Sequence, residues 1–414
     1  MPVHDYSYEQ KIHIVFPRTR MSVRELELPS NKYQRYATLK AFHKIKNLPS
    51  ENKLSFWSIA SINGQPFNKL RTVPPQSEKV WGGYSQHENV LFLPWYRAYL
   101  LYFENALIDA APDSEKSLVA VPYWDATATE TLAEGFPDLL MDHFVTIDDN
   151  GNTISNPLLD YVLPEAIPPP ESNPKYVRSN GYTTLRYPFS GLTGSIQSDS
   201  ESKLQNDYLN WQDFRDSRVY LQENVLYSLT VPTPSIKYLF ENSLKTRKYN
   251  AFSNELSAEL KYNNQSSLET ASIQILKVLG GGSQFDLLAG ANGDLSSNEM
   301  AAFDPFFFLH MANIDRVFWI WQNKFKMTTP KRFKFNPIND KDKGIRTKYG
   351  QGPSPNQNGE EILTTNSKLF PFTNYQSPSE MVKVKDIIDI ENQLKYTYTS
   401  GSLLKVRKWQ IGRF

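Results

Sequence analysis

The chain has 414 residues, 40% hydrophobic and 13% aromatic, which is enough to bury a large core. Its 45 Lys and Arg against 44 Asp and Glu leave almost no net field, so neither nucleic acid nor an anionic membrane surface is an expected partner. The absence of cysteine rules out disulfides and thiolate metal sites; with no apolar run near the roughly 20 residues of a membrane span and no signal-peptide pattern, the expected location is the cytoplasm.

No fixed-period repeat is present, and the pattern is one of helices joined by long, proline-rich loops. The first predicted helix runs from about Ser30 to Lys46. A second runs from Pro94 to about Ala111, with Tyr99, Tyr102, Phe103, Leu107 and Ile108 recurring at helical spacing. Glu165 to Pro174, containing Pro168-Pro169-Pro170, reads as a loop. Ser266-Ser267-Leu268-Glu269 has the spacing of a capping box and opens a helix to about Leu279, stopped by Gly280-Gly281-Gly282. Ser272 and Leu276 then share a face. Asp304 as N-cap and Pro305 as first helical residue start a helix through Gln322, on which Met311 and Asp315 lie one turn apart. Tyr349 to Glu360 reads as a further loop. Val382-Lys383-Val384 and Tyr396-Thr397-Tyr398, in the stretch to Trp409, read as short strands. The expectation is a mainly α fold with minor β-strands, one domain over 1–414.

Three motifs together carry a family resemblance: Leu91-Phe92-Leu93-Pro94-Trp95-Tyr96-Arg97-Ala98-Tyr99, Pro122-Tyr123-Trp124-Asp125, and Ala302-Phe303-Asp304-Pro305 leading into Asn313-Ile314-Asp315-Arg316. The chain resembles the type-3 copper proteins, most of all the fungal tyrosinases and polyphenol oxidases, over about Phe16 to Ser400. This implies a helical-bundle core with long loops and no C-terminal shielding domain. Tyr396-Thr397-Tyr398 resembles the family's closing tyrosine motif, which packs against an N-terminal arginine; Arg20 holds the matching place.

In that family three histidines bind each copper, because neutral imidazole suits both copper redox states. The resemblance maps the first site onto Asn63, His87 and Tyr96, and the second onto Ser272, Leu276 and Met311; only His87 is a histidine. His310 matches a histidine that lies beside a ligand, and Ser85 stands where many fungal members have a cysteine bonded to one. None of His4, His13, His43, His87, His143 and His310 is four residues from another, the spacing that shares a helix face. The expectations are no metal, no cofactor, and no conventional tyrosinase or catechol oxidase activity.

The replacements include hydrogen-bonding residues, which points to acid–base chemistry. His87 is the candidate general base, Tyr96 the proton donor and Asn63 the carbonyl-orienting group, with Ser272 in the same polar cluster. Glu269 falls where the family has a water-orienting glutamate, or closes the capping box. Phe307, Met311 and Leu276 are the candidate substrate-contacting residues, and Met311 equally reads as core packing. Asp315 and Arg316 resemble a supporting Asp-Arg pair. The function expected is a cyclase, isomerase or lyase acting on an aromatic or polyketide-derived small molecule in fungal secondary metabolism. The alternatives are a non-catalytic binding or scaffold pseudoenzyme, in which His87 is a hydrogen-bonded core residue, and an oxidoreductase with an unorthodox metal site.

Overall fold

Among the described residues two largely apolar segments form the two longest helices, and their aromatic faces meet. The computed structural model describes residues 11–12, 16–64, 84–167, 178, 180–186, 214–232, 234–259, 266–280, 293–298, 300–336, 341–346, 361–374 and 380–403. Among these the helices are α1 (Val23–Glu27), α2 (Lys32–Lys46), α3 (Phe56–Asn63), α4 (Phe92–Ala110), α5 (Thr129–Glu134), α6 (Phe214–Thr230), α7 (Ile236–Ser243), α8 (Tyr249–Ser253), α9 (Glu255–Glu259), α10 (Leu268–Gly280) and α11 (Phe306–Phe325). The fold is mainly α, as expected. None of these helices is long and apolar enough to cross a membrane.

Helices α4 and α11 form the central pair. Phe103 and Phe308 stack with centroids 3.7 Å apart, and Phe42 of α2 and Phe56 of α3 pack edge-on against Phe103. Nearly every residue of α4 is buried, including Arg97 and Glu104. Buried charges need partners. Arg97 Nε donates to Asp315 on α11 at 2.5 Å and Nη2 to Gln322 at 3.0 Å, while Glu104 accepts from Arg18 Nε at 2.6 Å and Arg20 Nε at 3.0 Å.

Strands β1 (Lys11–Ile12), β2 (Arg18–Arg20), β3 (Phe144–Thr146), β4 (Thr153–Ser155), β5 (Lys368–Asn374), β6 (Met381–Lys383) and β7 (Tyr396–Tyr398) form small sheets, ordered β1-β5-β6, β2-β7 and β3-β4. β2 and β7 are parallel, with Arg18 opposite Tyr396 and Arg20 opposite Tyr398. Arg20 Nη1 donates to Tyr398 Oη at 2.8 Å, its guanidinium lies 3.9 Å from the Tyr396 ring centroid, and both tyrosine hydroxyls donate to Asp315 Oδ2 at 2.6 Å. The anticipated tyrosine motif is thus assembled around Asp315.

Several boundaries differ from expectation. A 3-10 turn at Pro29–Asn31 takes the place of the first turn of α2. α4 begins two residues before Pro94, because Asn89 accepts the Leu91 N–H through its side chain and the Phe92 N–H through its carbonyl; the proline falls in the first turn, where its missing N–H costs nothing. Ser267, not Ser266, caps α10: its Oγ accepts the Thr270 N–H at 3.0 Å, whereas the Ser266 hydroxyl donates to Leu239 O. Glu269 closes no capping box. Asp304 does cap α11, accepting the Phe306 N–H at 2.8 Å, and the helix continues to Phe325, where Lys326 turns left-handed. Val384 begins a 3-10 turn rather than extending β6. The loops predicted at 168–174 and 349–360, and Gly281, Gly282, His4, His13 and Trp409, lie outside the described residues.

Candidate functional site

The C-terminal end of α3, the loop before α4, the second turn of α4 and the first turn of α10 converge on one polar cluster. Ser55 caps α3, accepting the Ser58 N–H at 3.1 Å, and the helix delivers Asn63 as its last residue. Tyr96, in the second turn of α4, donates its hydroxyl to Asn63 Oδ1 at 2.8 Å and lies 3.0 Å from His87 Nε2. Asn63 Nδ2 donates to Asn298 O at 3.3 Å.

The loop that carries His87 is held by Glu269 through the Glu88 backbone. His87 Nδ1 stands 3.4 Å from Glu269 Oε1 and has no hydrogen-bond partner. Glu269 is fully buried, and its two oxygens accept backbone N–H groups from Glu88 at 2.8 Å and Glu255 at 3.1 Å. Those tertiary contacts are why the glutamate leaves the local cap. Glu88 has φ +58°, left-handed for a residue with a side chain, and this aims its N–H at Glu269 while His87 faces Tyr96.

An aromatic shell surrounds the cluster. The Phe92 ring lies 5.8 Å from His87 and 5.1 Å from Tyr96, and Phe307 lies 5.9 Å from Tyr96. Burial pushes the Tyr96 phenol well above its ordinary value, and the Glu269 charge adds to this, so it stays protonated and serves as a donor. The side chain of His87 retains 16% of its exposure and thus a path to solvent.

A second imidazole–hydroxyl pair lies between α10 and α11. Ser272 Oγ is 2.8 Å from His310 Nε2 and donates to Met311 Sδ at 3.9 Å. Burial lowers His310 to about 3, outweighing the opposite effect of the Ser272 bond, so the ring is neutral. Of the residues expected to form the site, Asn63, His87, Tyr96 and Glu269 come together with Phe307 beside them. Ser272 and Met311 join His310 instead, and Leu276 is buried one turn from Ser272.

Two features escaped the sequence reading: His310 as the partner of Ser272, and Glu269 as the holder of the His87 loop. The one available signal was that His310 directly precedes Met311. Nothing local marks residues 88 and 255 as partners of 269.

The common central domain of tyrosinase matches residues 33–324. The chain is 33% identical to the tyrosinase HcTyr2 of Hahella sp. (strain CCB-MM4), over 94% of this chain and 74% of that one, and 29% identical to a tyrosinase of Aspergillus oryzae, over 97% and 77%. Among solved structures it is similar to the tyrosinase from Burkholderia thailandensis at low pH, with TM-score 0.79 and 32% identity over 94% of this chain and 75% of that one. Recombinant mushroom tyrosinase shares the fold, with TM-score 0.66 and 21% identity over 95% and 64%.

Two copper ions sharing dioxygen take several imidazoles each. The described residues bring one imidazole, His87, to Asn63 and Tyr96 and one, His310, to Ser272 and Met311, each engaged through Nε2 with a hydroxyl. This donor set does not fit such a pair of ions. Among the described residues no three His, Cys, Asp or Glu side chains are grouped to hold a metal.

Proposed function

The chain belongs to the tyrosinase family, and on that premise we propose that it is a non-oxidative enzyme of that fold: an isomerase, cyclase or lyase using acid–base chemistry on an aromatic or polyketide-derived small molecule. The single observation that carries this reading is the continuous Glu269–His87–Tyr96–Asn63 cluster, in which groups that hold and pass protons stand at the centre of an aromatic shell. His87 and Tyr96 exchange protons with the substrate, Asn63 orients its carbonyl, and Phe307 and Phe92 give a flat ring apolar contact. Such positioned proton transfer supplies roughly 10²–10⁴-fold in rate. Catalysis takes place within the cytoplasm in this reading, and no cofactor takes part.

The test is metal content by elemental mass spectrometry after copper supplementation, with oxygen uptake on a catechol measured on the same sample. The expected result is substoichiometric copper, no uptake, and conversion of a phenolic or polyketide-like compound that is lost in His87→Ala and Tyr96→Phe. A pair of copper ions per chain together with uptake overturns the reading and makes the protein an oxidase.

A further inference from the structure

We propose that the cleft between α1, the start of α5 and the segment that follows β7 is a second ligand site, shaped for a small molecule with an apolar body, a carbonyl oxygen and no negative charge. No residue of the His87 cluster or of the His310 pair lines it, so the site stands apart from the acid–base chemistry above.

The cleft holds about 490 Å³, within the roughly 300–1,000 Å³ of small-molecule pockets. Val23, Leu28, Ala128 and Leu403 give it apolar walls. A buried ion pair keeps those walls in place. Asp125 accepts the Ser402 N–H and the Ser402 hydroxyl, both at 2.6 Å, and pairs with Arg316 at 3.3 Å; Arg316 in turn donates to Ser402 O. Gly401 lets the chain lie this close, because a Cβ there would stand 2.3 Å from Arg316 Nη2. On the α1 side, Thr399 Oγ1 donates to Glu25 Oε2 at 2.6 Å. The site is therefore preorganised, which lowers the cost of binding.

Two spare donors set the polar end of the ligand. Trp124 lines the cleft and is 2% exposed, and its indole N–H has no partner among the described residues. Phe136 and Phe306 pack edge-on against the indole at 4.9 and 5.3 Å and hold it in place. The equally buried Trp95 and Trp321 both donate to carbonyls, Phe370 O at 2.6 Å and Thr246 O at 2.7 Å. Buried donors are nearly always satisfied, so this exception calls for an oxygen from outside the chain. Arg24 supplies the second donor. Its Nη1 bonds Glu134 at 2.8 Å and its Nη2 bonds Gly135 O at 3.0 Å, while Nε–H is buried and unpartnered. One carbonyl oxygen, with two lone pairs, can accept from both.

Charge excludes an anion. Glu134 answers Arg24 and Arg316 answers Asp125, while Glu25 and Glu130 add negative charge to the same lining. A carboxylate ligand would meet that repulsion, and a neutral carbonyl does not.

The experiment is a proton–nitrogen-15 NMR titration of the indole N–H groups of the full-length protein, with benzamide as the probe. Trp124 is assigned among the eight tryptophans by difference from Trp124→Phe. Benzamide is expected to move the Trp124 indole signal downfield and saturably. Benzoate, which has the same shape and a negative charge, and toluene, which has no acceptor, are expected to bind at least about tenfold more weakly. Ala128→Leu, which fills the cleft without touching the ion pair, is expected to abolish the shift while its near-ultraviolet circular dichroism stays as in wild type. No saturable shift with benzamide, the same shift in Ala128→Leu, or equal binding of all three probes overturns the proposal. Should Trp124→Phe fail to fold, a saturable shift of one indole signal that Ala128→Leu removes decides alone.

Discussion

His310 shows how a single burial decides a charge. The folded chain keeps this ring at about 3, while an exposed histidine has an ordinary value near 6.5. Below about pH 6.5 the unfolded chain takes up a proton that the folded chain refuses, so stability falls as pH drops from there toward 3, by about 1.4 kcal/mol per unit. His310→Leu is expected to remove that share of the slope, and urea unfolding of both proteins at pH 7 and pH 5 checks it. An identical slope in the two proteins would mean that another group carries the dependence. Met311, read from the sequence both as a substrate contact and as core packing, is a buried thioether whose contact with Ser272 is a weak one.

At the scale of elements, α11 starts where two requirements coincide. Asp304 accepts the Phe306 N–H and also takes two bonds from Arg186, at 2.9 and 2.7 Å. Asp304→Asn keeps an oxygen for the helix but loses the charge opposite a buried guanidinium; Asp304→Ala loses both. The expected order of melting temperatures is wild type, then Asn, then Ala, with the cap itself worth about 1 kcal/mol. Equal losses in the two variants would show that the ion pair accounts for the whole effect.

The same elements show what the sequence could tell. α4 and α11 were legible because aromatic residues at helical spacing and an Asp-Pro start are local signals that packing then reinforced. The start of α10 was misplaced by one residue because Ser266 and Ser267 both suit a cap, and the glutamate that would have chosen between them serves distant backbone. β5 went unnoticed because Pro371 breaks a strand pattern; its pairing with β6 is irregular between Lys368 and Thr373, and the proline falls within that interval. Asn63, His87 and Tyr96 were found through motif positions, while the direction of their hydrogen bonds depends on Asn298, which no motif contains.

For the whole molecule, the decisive unit is the group of charges where β2, α4, α11 and β7 meet. Burial pushes the Glu104 carboxyl up, but Arg18 and Arg20 hold it down at about 2. Its contribution is therefore complete above about pH 4.5 and fades as pH falls toward 2. Glu104→Gln leaves Arg18 without its carboxylate and Arg20 with Asp315 alone, and is expected to cost about 3–5 kcal/mol at neutral pH. Denaturant unfolding monitored by tryptophan fluorescence reads this directly; a loss below 1 kcal/mol, in the range of roughly 0–1 kcal/mol typical of surface pairs, would mean that water reaches the network.

The parallel pairing of β2 with β7 also has a consequence during synthesis. Arg20 has left the ribosome long before Tyr396 and Tyr398, yet these tyrosines donate to the carboxylate, Asp315, that Arg20 and Arg97 both engage. A nascent chain that has formed α4 and α11 still holds charges whose enclosure is unfinished, and burying them early is costly. β7, which follows every other strand among the described residues, therefore completes the enclosure of these charges only after nearly the whole chain has been made.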